Sequence, residues 1–186
     1  MLTTFELLRE DYKKSRLNIF KLIGGLLLLS NFWIVVLYRL ANWLTRNRIP
    51  YVPTALMNIG RILYSAEIDP SSNIGPGFQI VHSVGLVIGP EVIAGRNFRI
   101  HQSVTIGMRE RQNNGRKTPL IGDNVTVFAG AAVLGPIKIG DNVKIGANAV
   151  VINDVPSNVI VGGVPAKIIK KFPVSGQCTE SSIKHE

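Results

Sequence analysis

Three histidines, one cysteine and a basic loop are the places where this chain of 186 residues could do chemistry. His82 and His101 stand 19 residues apart inside a regular array, whereas His185 sits in a polar tail and reads as inert. An imidazole titrates near neutral pH, so either array histidine could hold or move a proton, or bind a metal. A zinc held by histidines alone needs three. The array offers two, and no metal is expected. Cys178 lies alone in the same tail and can close no internal disulfide, which fits a reducing, cytoplasmic compartment. The loop at 109–119 (RERQNNGRKTP) carries Arg109, Arg111, Arg116 and Lys117 and no aliphatic residue. Loops displayed on a rigid scaffold are where binding chemistry concentrates.

The scaffold is announced by a period of six. From Ile68 to Val155 the lead positions are Ile68, Ile74, Ile80, Leu86, Val92, Phe98 and Val104, then Ile121, Val127, Val133, Ile139, Ile145 and Val151. All are apolar, where about half of an ordinary chain is. A helix repeats near 3.6 residues and a strand near 2, so neither accounts for a strict six. A parallel β-solenoid does, because each short strand repeats its inward residue at the same place on every face. Between Val104 and Ile121 the count breaks, and the excess is the basic loop, which a stack of coils can expel without disturbing its neighbours. Gly, Asn and Asp recur where the chain must turn.

Ahead of the array, residues 1–66 read as helical, with Phe5, Leu8 and Tyr12 at helical spacing, then Trp33, Val36, Leu37, Leu40 and Leu44. Pro50 and Pro53 break that helix before a shorter one. Residues 67–171 form the array, and 172–186 a mobile tail. The net charge is +9, with a surplus of five within residues 1–50. No nucleic-acid motif accompanies it, so a phosphate-bearing small molecule or an anionic membrane is the expected partner rather than DNA. The apolar stretch 22–37 is too short to span a bilayer. It reads as a helix buried between subunits, with peripheral contact of residues 1–50 at the inner face of a membrane as the other reading.

These hexads, the inserted loop and the closing GGVPAKIIKK resemble the hexapeptide-repeat acyltransferases, most of all the serine acetyltransferase branch with its relatives in capsule and exopolysaccharide gene clusters. YRLANWLTRN is similar to the helical segment that leads into that branch, and FRIHQSVTIG to the coil before its loop. The resemblance implies an all-β left-handed parallel β-helix with 18 residues per triangular coil, preceded by an N-terminal α-helical segment. It also implies a homotrimer with acetyl-CoA in the clefts between prisms.

The same resemblance assigns a site. IVHSVGLVIG matches the segment that carries the family's catalytic base, which makes His82 the base, and Glu67, fifteen residues earlier, its orienting carboxylate. On an 18-residue coil Glu67 would lie beneath Gly85, within reach of the ring. A hydroxyl is a poor nucleophile toward a thioester until a base near pH 7 takes its proton. Donor positions map onto Arg109, Ala129, Ala147 and Lys167, with small residues at 129, 131, 147 and 149 leaving room for pantetheine. His101, Lys117 and Thr118 fall on the acceptor side, with His101 an alternative base.

Two departures bear on the acceptor. The acidic residue expected before the base is Val81, and the loop histidine is Thr118. Loss of both charge partners argues for an uncharged acceptor, namely a hydroxyl of a capsule, exopolysaccharide or O-antigen saccharide. Serine O-acetylation for cysteine biosynthesis is the alternative. A zinc enzyme on the same scaffold and a non-catalytic trimeric scaffold are the readings from other classes.

Overall fold

The computed structural model describes residues 2–15, 31–109 and 115–172. Much of the apolar stretch 22–37, residues 110–114 of the loop, and the tail from 173 onward with Cys178 and His185 lie outside the described residues. Three helices come first: α1 (Thr4–Ser15), α2 (Asn31–Arg46) and α3 (Val52–Tyr64). Among the described residues no helix is long and apolar enough to cross a membrane.

A left-handed parallel β-helix follows, built from three sheets. The first contains β1 (Ala66–Ile68), β4 (Leu86–Ile88), β7 (Thr105–Gly107), β10 (Ala132–Leu134) and β13 (Val150–Val151). The second contains β2 (Asn73–Ile74), β5 (Ile93–Ala94), β8 (Leu120–Ile121) and β11 (Lys138–Ile139). The third contains β3 (Gln79–Ile80), β6 (Arg99–Ile100), β9 (Thr126–Val127), β12 (Lys144–Ile145) and β14 (Val159–Gly162), and is closed by β15 (Lys167–Lys171), which alone runs antiparallel.

All thirteen lead residues are buried, none more than 8% exposed. Each hexad in fact points two residues inward, one at the strand and one two places earlier, and Ile68 begins a column in which Ile88, Ile106, Val133 and Val151 stack in line with it. Burying each of these side chains is worth about 1.5–3 kcal/mol, and their sum is the core. At one edge of the prism Asn97, Asn124, Asn142 and Asn158 all take left-handed backbone (φ 55 to 62°). Their carboxamides form a ladder, each Nδ2 donating to the Oδ1 of the next at 2.8–3.0 Å. Gly77 ends the ladder below, with φ +80° and a Cβ position that would lie 2.6 Å from the Asn97 Oδ1.

The first coil has no coil beneath it, and α2 supplies side chains in place of strands. Tyr38 Oη donates to the Ser72 carbonyl (3.0 Å), Asn42 Nδ2 to those of Pro70 and Ser72 (both 2.8 Å), and Asn31 Nδ2 to that of Val81 (2.6 Å). Arg39 reaches the carbonyls of Ile74 and Gly75, and its Nε pairs with the buried carboxylate of Asp11 at 2.8 Å. Asp11 in turn accepts from the amides of Gly77 and Phe78, both at 2.8 Å. Buried backbone groups without partners are costly, so α1 and α2 dock by completing this open end. Burial pushes the Asp11 carboxyl upward against the pull of Arg39 and the two amides.

Candidate active site

Each coil turns three corners, and the residues that could do chemistry are divided among them. The first corner holds 69–72, 89–92, the loop 108–119 and 135–137. The second carries the asparagine ladder. The third holds 81–85, 101–103, 128–130 and 146–148.

At the third corner the lowest coil is longer than the rest. Gln79 pairs with Arg99 and Glu67 with Val87, both 20 residues apart, whereas Val87 pairs with Thr105, 18 apart. The two extra residues fall between β3 and β4. Val81 donates to Ile100 and Ser103 to Val84, each bond 2.9 Å, so the 81–84 segment runs beneath 100–103 and its surplus bulges outward. His82 is exposed on that bulge, between a half-buried Val81 and a buried Ser83.

One coil up, the His101 ring lies against Phe128, centroids 5.0 Å apart and tilted by 32°. Its pKa falls below the usual histidine value, first because burial disfavours the charged form, then through the charges of Arg99 and His82. Beside the column of His101 and Phe128 a second one rises from Gln102 to Ala129, half-buried, and Ala147, exposed. Ala131 and Ala149, expected beside them, are instead core residues at 0% exposure, because the strand alternation sends them inward. Lys167 opens β15 opposite Gly162, at the top of the same corner. The corner therefore offers an exposed imidazole below, a smooth wall above it and a cation at the end, which fits a long thioester ending in phosphates.

Glu67 is not hydrogen-bonded to His82. It sits on the outer face of β1, across from Val87 rather than beneath Gly85, and its carboxylate lies 3.8 Å from the Arg61 guanidinium. The 20-residue first coil is the reason, since the bulge shifts everything after Ile80 by two places. Glu67 and Arg61 also line a cavity of about 510 Å³ between α2, α3 and the first coil, together with Arg48, Tyr51 and Asn58.

The loop residues belong to the first corner. Thr118 is buried, and its hydroxyl donates to the Glu91 carbonyl at 3.0 Å, pinning the loop base to the coil below. Arg116 reaches the Pro136 carbonyl at 3.4 Å, and Arg109 packs beside Gly135, so the loop leans on the coil above. Lys117 is exposed. A six-residue face at about 3.3 Å per residue puts roughly 20 Å between this corner and the third. Within one chain, the structure joins His82 and His101 to Ala129, Ala147 and Lys167, but not to Arg109, Lys117 or Thr118. Among the described residues no three His, Cys, Asp or Glu gather into a metal-binding group.

Phe128 and Arg61 were not singled out from sequence. Phe128 was accessible: it follows its lead Val127 as His101 follows Ile100, which puts both in one column. Arg61 was not, because nothing local ties a helical arginine to a strand six residues on.

Comparison with known proteins bears on the acceptor. A family model described as bacterial transferase hexapeptide (six repeats) matches residues 118–153. The chain is 43% identical over 149 residues to a serine acetyltransferase of Synechococcus elongatus, covering 80% of this chain and 61% of that one. It is 40% identical over 146 residues to a serine acetyltransferase of Helicobacter pylori, covering 78% and 85%. The crystal structure of Brucella abortus serine acetyltransferase in complex with coenzyme A superposes with a TM-score of 0.78 at 31% identity, covering 90% of this chain and 68% of that one. That of the Neisseria gonorrhoeae enzyme in complex with serine gives 0.80 at 30%, covering 90% and 69%. The chain spans between 57% and 61% of the length of several curated relatives that it matches.

These relatives overturn the polysaccharide acceptor. The inference from Thr118 fails on physical grounds as well, because a buried hydroxyl that pins the loop says nothing about the charge of an acceptor. With 40% identity across 85% of the Helicobacter pylori protein and the hexapeptide model matched, this chain belongs to the serine acetyltransferase family of hexapeptide-repeat transferases.

Proposed function

We propose that this chain transfers an acetyl group from acetyl-CoA to the side-chain hydroxyl of L-serine, with His82 as general base. The observation that carries the reading is the third corner, where an exposed imidazole stands at the foot of a wall of small residues capped by Lys167. The names of the relatives, and the serine and coenzyme A complexes among the solved structures, support both substrates. His82 takes the hydroxyl proton as the oxygen attacks, and returns it to the departing sulfur. Ala129 and Ala147 let the donor lie close to the wall, and Lys167 meets its phosphates. Glu67 serves the imidazole once its carboxylate leaves Arg61; that pair is more than half exposed and is held by at most about 1 kcal/mol. In this reading the described helices of residues 1–66 cap the catalytic unit 67–171.

The separation of the corners supports a trimer. Arg109 and Lys117 of one chain cannot approach His82 of the same chain, but a neighbouring prism would bring its first corner against the third. Lys117 would then meet the serine carboxylate, with Thr118 holding the loop in place.

The test is acetyl transfer by the purified chain with L-serine, L-threonine and an oligosaccharide as acceptors, following coenzyme A release and the acetylated product by mass spectrometry. O-acetylserine as the dominant product is expected. Turnover no faster with L-serine than without an acceptor removes the proposal. Mixing inactive His82→Ala chains with inactive loop-deleted chains should restore part of the activity if the site is shared between chains.

A further inference from the structure

Two imidazoles occupy the third corner, and the reaction above uses one of them. His82 stands at the level of the first coil, and the alanine wall belongs to the third and fourth. A thioester descending that wall reaches the base only by crossing the second coil. The polar side chains of that coil at this corner are His101, Gln102 and Ser103. Gln102 has its carboxamide oxygen buried without a partner, and the Ser103 hydroxyl stands over Gly85, whereas the His101 ring is fixed against Phe128. His101 is held in place twice, by its amide donating to the Val127 carbonyl at 3.1 Å and by its ring against Phe128. Its height above His82 is set by backbone, through the bonds Val81–Ile100 and Ser103–Val84.

We infer that His101 is the side-chain hydrogen-bond donor to the thioester oxygen, stabilising the charge that forms there while His82 takes the proton of the attacking hydroxyl. The inference rests on the acetyl-transfer reading. The hydroxyl oxygen bonds to the carbonyl carbon, the π pair moves to the carbonyl oxygen, and the hydroxyl proton passes to His82. Collapse re-forms the C=O bond and breaks the C–S bond, and the proton returns from His82 to sulfur. The His101 N–H stays on its nitrogen throughout.

A donor of this kind works best as a neutral ring, because a second imidazolium would oppose protonation of the base. The groups facing His101 favour that state: His82 from the coil below, Arg99 from its own strand, and from the coil above the uncharged, desolvating Phe128.

The test compares His101→Phe, which keeps a ring against Phe128 without an N–H, with His101→Gln, which keeps a donor. His101→Phe should lower kcat about 10²-fold and leave both KM values, the thermal midpoint at about pH 7.5 and the acid limb of the pH profile of activity unchanged. His101→Gln should recover about tenfold of that loss. A His101→Phe enzyme within about threefold of the parent kcat, or one whose loss lies in KM or follows a lowered midpoint, overturns the inference. His82→Ala read in parallel keeps the two claims apart: undiminished transfer in that variant sinks the base and leaves the His101 result to be judged on kcat.

Discussion

Val87 stands opposite Glu67, twenty residues before it in the chain, and opposite Thr105, eighteen after it. The difference of two is the bulge that carries His82 away from the regular wall. A base on a bulge is separable from the core. His82→Ala is expected to lower kcat by about 10²–10⁴-fold while shifting stability by less than about 0.5 kcal/mol. Steady-state kinetics beside a urea titration would check both, and a large stability loss would mean the ring is structural.

The Asp11–Arg39 pair is fully buried, and each partner also serves backbone groups of the first coil. Removing one side strands a charge. Arg39→Met should cost about 3–5 kcal/mol, and Asp11→Asn in the same background should recover part of it. A thermal midpoint within a degree or two of the parent for Arg39→Met would show that the helices dock by other means.

Acidification should weaken the fold through His101. Its pKa is lowered in the folded chain, so as pH drops below about 6.5 the unfolded chain binds a proton that the folded chain resists. By linkage, stability is present above that value and is lost as pH falls toward the folded pKa. Midpoints measured from pH 7.5 to 5 should fall less steeply in His101→Phe than in the parent. Identical slopes would remove this role.

Asn124 tests the ladder. Its left-handed backbone and its two carboxamide bonds can be lost separately. Asn124→Gly keeps the backbone and loses the bonds, at about 1 kcal/mol. Asn124→Ala loses both and should cost about 1–2 kcal/mol more. Equal midpoints for the two variants would show that the turn carries no strain.

The architecture was legible in the thirteen lead residues, since a period of six admits no other fold and all of them are buried. The register was not. Counting sixes from Ile80 through Leu86, Val92, Phe98 and Val104 stays apolar because each hexad has a second inward position, so the two extra residues at His82 pass unseen. That slip misplaced Glu67 by two positions. The Asp11–Arg39 pair left no local signal, as its partners are 28 residues apart. The acceptor was misjudged from Val81 and Thr118, because the loss of two charged side chains does not by itself fix the charge of what binds beside them.

The side chains of α2 have one more consequence. The bare rim of a parallel solenoid invites another copy to stack on it and lengthen it into a fibre. Tyr38, Arg39 and Asn42 occupy the carbonyls that such a copy would use, and β15 crosses the opposite rim antiparallel. Among the described residues, axial growth is opposed at the first coil by α2 and on the third sheet by β15.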